Sequence, residues 1–267
     1  MDPLQALVLG VVQGLTEFLP VSSSGHLVLA NYYLFGGHEL PLWVDLASNT
    51  GTFLAALILL HREIWLALSG FLGGLVSAPA RQRPGWELAI WVLVASLPAG
   101  IFGLFISPYF ENFNQPVPAA LGLILTGLVI FFVPRGGFRE TPRALGLTTA
   151  LLTGLAQAAA IFPGVSRSGS TISTMLYLGA NSELAARLSF LMYSAASFGV
   201  LLLALSDLDV ILSQVAVLPL VLMTLGAFVS GYLAMLAVYG ILRRGNFRWF
   251  APYVWVLAAV TLVLQLR

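Results

Sequence analysis

Six stretches of this chain, near residues 41–61, 87–106, 117–134, 184–205, 215–239 and 249–266, each carry at most one Asp, Glu or Arg. A helix needs roughly 20 apolar residues to cross the hydrocarbon core of a bilayer, so each stretch is expected to be a transmembrane helix. The expected fold is therefore all-α and polytopic, a single membrane domain over 1–267. Charged residues make up only 9% of the chain and hydrophobic ones 59%, against roughly 25% charged in soluble domains. The net charge is +1 with no basic stripe, which argues against nucleic acid and leaves the lipid bilayer as the obligatory partner. The absence of cysteine excludes disulfides, thiolate catalysis and Cys-ligated metals. Met1-Asp2-Pro3 lacks the basic start of a cleaved signal, so the first apolar stretch is expected to belong to the mature fold.

Two further segments, 4–35 and 145–178, are interrupted by a polar motif that occurs twice, 144 residues apart. The first copy runs Gln13-Gly-Leu-Thr16-Glu17-Phe18-Leu-Pro20-Val21-Ser22-Ser23-Ser24-Gly25-His26, and the second runs from Gln157 through Phe162-Pro163-Gly164-Val165-Ser166-Arg167-Ser168-Gly169 to Thr171. Aligned without gaps, Gln, Phe, Val, Ser, Ser and Gly coincide. Glu17 and His26 occur only in the first copy and Arg167 only in the second. Ionisable side chains at membrane depth are costly and mark functional sites, above all where helices are broken.

Each interrupted segment could be one broken spanning helix or a re-entrant hairpin. The connections 62–86, 135–144 and 240–248 hold three arginines each, whereas 107–116 and 206–214 hold no basic residue. If both segments are re-entrant, all three Arg-rich connections fall on the cytoplasmic side, as the positive-inside rule requires. If both span, the 240–248 connection moves outside and the rule fails. The expectation is six transmembrane helices plus two re-entrant hairpins, in inverted-repeat halves 1–134 and 135–267. Both termini then face outward and the hairpin tips meet near the midplane.

Gln13 and Glu17, four apart, share a helix face. Pro20 should end that helix just before it. Ser22 to Gly25 are expected to form a turn with a new helix starting around His26, and Ser166 to Gly169 a second turn before a short helix through Thr171. Two helix N-termini with hydroxyls and one arginine, facing each other in a dry place, suit a phosphate or pyrophosphate. Each residue also has a plainer reading. The serines could bond their own helix, Gln13 and Gln157 could join helices, and Gly25 and Gly169 could serve only the turns. Glu17 and Arg167 could form an ion pair. His38 and His61 are expected at the interface, Arg187 is expected to snorkel, and Asp45 stays open.

These motifs closely resemble the undecaprenyl-pyrophosphate phosphatase family, of the bacitracin-resistance type. The likeness covers essentially the whole chain in length, span count and motif position, and the joint occurrence of both motifs is highly specific. It implies hydrolysis of undecaprenyl pyrophosphate to undecaprenyl phosphate, recycling the lipid carrier of cell-wall synthesis in the bacterial inner membrane. It also implies a divalent cation, Mg2+ or Ca2+, and a site open to the outer, periplasmic face. Gln13 stands where a first glutamate is common in the family.

On this reading Arg167 clamps phosphate oxygens, helped by Ser22, Ser24, Ser166, Ser168, Thr171 and the backbone at Gly169. Glu17, with Gln13, would hold the cation through oxygen. His26 is the favoured nucleophile or general acid–base, and Ser23 the rival nucleophile with His26 as its base. The polyprenyl tail would enter sideways from the bilayer, and a homodimer is left open. The competing reading is a polyprenyl-phosphate transporter or flippase that binds phosphate without cleaving it. An acid–base imidazole beside Glu17 and the serine run sets hydrolysis apart from it.

Overall fold

The computed structural model describes residues 1–38, 40–106, 113–134, 146–213 and 215–266. The described residues form helices α1 (Pro3–Phe18), α2 (Ser23–Phe35), α3 (Leu42–Leu59), α4 (His61–Val76), α5 (Pro84–Phe105), α6 (Pro116–Phe131), α7 (Leu147–Ala159), α8 (Arg167–Tyr177), α9 (Ser182–Ala204), α10 (Leu208–Ser213), α11 (Val217–Arg243) and α12 (Phe250–Gln265). No strand occurs among them. Five helical stretches are long and apolar enough to cross a membrane: α3, α5, α9, α11 and Phe247–Gln265. The sixth expected span, 117–134, is the shorter apolar helix α6, with 16 residues. The 62–86 connection proves to be helical in large part: after a kink at Leu60, α4 continues for 16 residues and packs beside α5. The arginines of 135–144 lie outside the described residues.

Both interrupted segments are helix–break–helix units. Leu19, the residue before Pro20, is extended (φ −68°, ψ 146°) and α1 stops at Phe18, as the proline's clash with a preceding α conformation dictates. The second helix of each unit starts earlier than the motif suggested, at Ser23 and at Arg167. The reason is capping. Ser22 Oγ accepts from Gly25 N at 3.3 Å and Ser166 Oγ from Gly169 N at 3.0 Å, so each serine satisfies a free first-turn N–H.

The two helices of the first unit pack against each other. Ala6 and Leu9 near the start of α1 and Phe35 at the end of α2 lie in one apolar cluster with Trp43, Val44 and Met223. Close approach of backbones fixes α1 along α11, because Gly10 faces the Met223 backbone and Gly14 faces Ala227 and Ser230. Small residues at such a contact let the helices pack without a hydrophobic driving force between them. In the second unit Gly154 brings α7 against Ala95 and Pro98 of α5 in the same way.

Polar groups are gathered inside and apolar ones outside. Leu104, Phe105 and Val256 are largely exposed, while Gln13, Glu17, Thr52, Thr171 and Ser189 are buried. At one end Arg187 pairs with Glu63 at 3.5 Å and Glu183 at 3.2 Å, and Arg243 with Glu183 at 3.4 Å. The starts of α4 and α9 and the end of α11 are thereby held together. Arg187, expected to snorkel, is partly exposed and belongs to this ion-pair group. Arg248 donates through Nε to the Val133 carbonyl at 2.6 Å, joining the end of α6 to the α11–α12 connection.

Candidate active site

The two breaks touch, and their register is that of the sequence repeat. Ser22 Oγ and Ser24 Oγ lie 3.2 Å apart, and so do their counterparts Ser166 Oγ and Ser168 Oγ. Ser168 Oγ crosses to the Leu19 carbonyl at 2.9 Å, and Gly164 N donates to Ser24 Oγ at 3.5 Å. Thr126 of α6 clamps the second tip: its hydroxyl donates to the Gly164 carbonyl and accepts from Ser166 N, both at 2.8 Å. Gly164 itself sits at φ +86° with its Cα against Ala119 and Gly122, where a side chain has neither the conformation nor the room. In the first tip the left-handed residue is Ser22, at φ +70°. A non-glycine residue there stores strain of order 1–3 kcal/mol, and such strain clusters at functional sites.

At the centre stands the Glu17 carboxylate, whose side chain is 4% exposed. Oε1 accepts from Arg167 Nη2 at 2.6 Å. Oε2 accepts from Ser23 Oγ at 2.5 Å and from Gln13 Nε2 at 2.7 Å. Four of the residues singled out in the sequence are thus in direct contact across 150 positions of chain. A cavity of about 10 Å³, lined by Glu17, Phe18, Arg167, Ser168, Ser189, Phe190 and Tyr193, lies beside the pair. That is room for no more than about one water, while the Arg167 side chain stays 30% exposed.

The remaining sequence candidates are placed differently. Ser22 and Ser166, expected on phosphate, serve as helix caps, and the Gly169 N–H is used by the cap. Thr171, also expected there, faces α9. It is fully buried and bonds the Arg167 carbonyl at 2.8 Å and Ser189 Oγ at 2.7 Å, so it braces the arginine from behind. Ser24 is exposed and Ser23 partly so. His26 shares no hydrogen bond with Ser23, Glu17 or Arg167. Its Nδ1 meets the Ser22 carbonyl at 2.7 Å and its Nε2 the Tyr253 hydroxyl at 2.8 Å. The acceptor that Ser23 Oγ meets is Glu17 Oε2, at 2.5 Å.

Several contributors were not singled out in the sequence. The Arg167 guanidinium lies over the Tyr193 ring at 4.6 Å, a cation–π contact. Tyr193 Oη donates to Thr52 Oγ1 at 2.6 Å, with Asn49 Oδ1 at 3.2 Å, and Ser197 Oγ donates to Asn49 Oδ1 at 3.0 Å. The signal was present: Ser189, Tyr193 and Ser197 recur every fourth residue along α9, a polar stripe on one face of an apolar span.

Among the described residues no group of three His, Cys, Asp or Glu side chains is placed to hold a metal ion. One feature does fit a hard cation. Gln13 Oε1 is buried without a hydrogen-bond partner, on the side chain whose Nε2 donates to the carboxylate that Ser23 also meets. One carboxylate, one amide oxygen and one hydroxyl suit Mg2+ or Ca2+ when phosphate oxygens and water complete the shell.

The sequence is similar to those of known proteins. An undecaprenyl-diphosphatase from Acaryochloris marina is 52% identical over 263 residues, covering 98% of both chains. One from Desulfosudis oleivorans is 39% identical over all of both chains, and one from Korarchaeum cryptofilum is 36% identical over 99% of this chain and all of its own. The family model described as bacitracin resistance protein BacA matches residues 6–260, and with it the chain belongs to the bacitracin resistance protein BacA family.

Proposed function

We propose that this multi-pass membrane protein hydrolyses the terminal phosphoanhydride of undecaprenyl diphosphate, releasing phosphate and the lipid monophosphate that carries cell-wall precursors. The observation that carries this reading is the Glu17 carboxylate with Ser23 and Arg167 on its two oxygens. Binding alone calls for cations and donors. A serine hydroxyl 2.5 Å from a buried carboxylate supplies a nucleophile with its base.

Arg167 leaves Glu17 for the terminal phosphate, where its planar fork neutralises oxygens in a bidentate way. Ser23 Oγ attacks phosphorus as its proton passes to Glu17 Oε2, and the bond to the bridging oxygen breaks, freeing the lipid phosphate. His26, one turn along the same face of α2, takes the proton of the water that then hydrolyses the phosphoserine. Ser24 and Ser168 line the approach. Glu17 and Gln13 would hold the divalent cation, which when bound supplies further neutralisation of phosphate charge.

Six spans with two re-entrant hairpins, in an inverted repeat over 1–134 and 135–267, is the topology we favour. Val133 and Arg248 bond each other, with α9 and α11 as two crossings between them, and a second unit that makes no net crossing fits that contact. With the Arg-rich end in the cytoplasm, both termini and the site opening face the periplasm.

Release of inorganic phosphate from undecaprenyl diphosphate by the purified protein in detergent tests the activity. Tight binding of the lipid with no release would instead support the transporter reading.

A further inference from the structure

The hydrogen bonds of His26 assign a role to a residue of α12. Nδ1 lies 2.7 Å from the Ser22 carbonyl, an oxygen that can only accept, so Nδ1 carries the proton and Nε2 the lone pair. That lone pair meets the Tyr253 hydroxyl at 2.8 Å, and the tyrosine therefore donates to it. The two rings lie nearly parallel, 15° apart with centroids at 5.7 Å, so the phenol also fixes the imidazole plane. Tyr253 reaches His26 from 227 positions away, on the helix that follows the Arg-rich 240–248 connection. Nothing else among the described hydrogen bonds touches Nε2.

We infer that Tyr253 is a positioning residue for His26, holding the imidazole in the tautomer and orientation in which Nε2 is the proton acceptor during hydrolysis. The inference rests on the role given above to His26. The Ser22 carbonyl and the Tyr253 hydroxyl act as the two ends of one clamp. The first is on the strained tip of the hairpin and the second on α12, so the clamp couples the helix packing to the direction of the lone pair.

Tyr253→Phe keeps the ring and removes only the hydroxyl. The expected result is a five- to ten-fold fall in kcat with little change in KM, as for loss of one neutral hydrogen bond. In protein labelled with 15N-histidine, the His26 Nε2 resonance should move toward that of a free lone pair. The same substitution made in a His26→Ala background should cause no additional loss. An equal loss in that background, or an unmoved Nε2 resonance, would overturn the inference. If His26→Ala itself keeps full turnover, the role of His26 in hydrolysis falls, while the resonance still decides whether Tyr253 holds the ring.

Discussion

Ser23 and Arg167 occupy the same register in the two motif copies, and both donate to one carboxylate. Ser23 Oγ meets Glu17 Oε2 at 2.5 Å and Arg167 Nη2 meets Oε1 at 2.6 Å. Around them the copies keep the same scaffold: a serine cap, a second serine 3.2 Å from it, and a glycine N–H on the cap. The chemistry arises where the copies differ. The counterpart of Glu17 is Ile161 and that of His26 is Ser170. The repeat supplies two matching helix starts, and divergence supplies one anion, one cation and one imidazole between them.

Arg167→Lys should lower turnover on the order of 100-fold, the scale of removing one donor aimed at developing charge, because an ammonium cannot reproduce the fork. Arg167→Ala should be worse. It should also lower the melting temperature, since it leaves the Glu17 charge buried and unpaired. Phosphate release and thermal unfolding in detergent check the pair. Near-normal turnover of the lysine variant would reduce Arg167 to a counter-ion of Glu17.

Glu17→Gln should abolish measurable turnover while unfolding little, since an amide still bonds Ser23 and Gln13. Excess chelator should inhibit the parent protein, and added Mg2+ or Ca2+ should restore it. Gln13→Glu should be tolerated, as the added oxygen charge would sit beside the cation. Full activity in chelator would remove the cation from the mechanism and leave Glu17 as the base alone.

Five of the six expected spans and both breaks were legible because apolar runs and Pro20 act locally. The contact of the tips was legible from the repeat and from arginine placement. What escaped the sequence was partner choice. The Ser22 and Ser166 hydroxyls give no sign in sequence that they cap a helix, and only the geometry of Gly25 N and Gly169 N shows the caps. Thr171 faces α9, away from the tip, because the helix starts at Arg167, which turns the Thr171 side chain toward Ser189. Tyr193 and Tyr253 lie in spans read as apolar, and their roles come from helices joined only by the fold.

Tyr193→Phe keeps the ring beneath Arg167 and should cost about 1 kcal/mol of stability through Thr52 and Asn49, with turnover changed less than about three-fold. Tyr193→Leu removes the cation–π contact, worth about 0.5–2 kcal/mol, and should raise KM more than it lowers kcat. Equal kinetics for the two variants would show that the ring does not place the guanidinium.

Gly14→Ala and Gly100→Ala form a matched pair in helices. A Cβ at Gly14 collides with Ser230 Oγ and the Ala227 carbonyl, whereas one at Gly100 meets nothing within 4 Å. The first should destabilise by about 1–3 kcal/mol through overpacking. The second should be neutral or stabilise by up to about 1 kcal/mol through helix propensity. Opposite shifts in unfolding temperature are the expected signature, and no drop for Gly14→Ala would place the α1–α11 contact elsewhere.

The identity of the nucleophile is the sharpest test of the site, because residue chemistry and geometry point different ways. Imidazole is the better nucleophile near neutral pH, and an unassisted serine is poor. In the structure the serine is assisted, 2.5 Å from Glu17 Oε2, while His26 Nε2 is held by Tyr253. Ser23→Ala should therefore be inactive and yield no covalent label. His26→Ala should still accept the phosphoryl group and release it slowly, so labelled enzyme should accumulate in rapid quench. A phosphoserine survives acid that strips a phosphohistidine. A label that is lost in acid, or one retained by Ser23→Ala, would return the attack to His26. Partial activity in both variants without any label would instead point to direct attack by water, with Glu17 as its base.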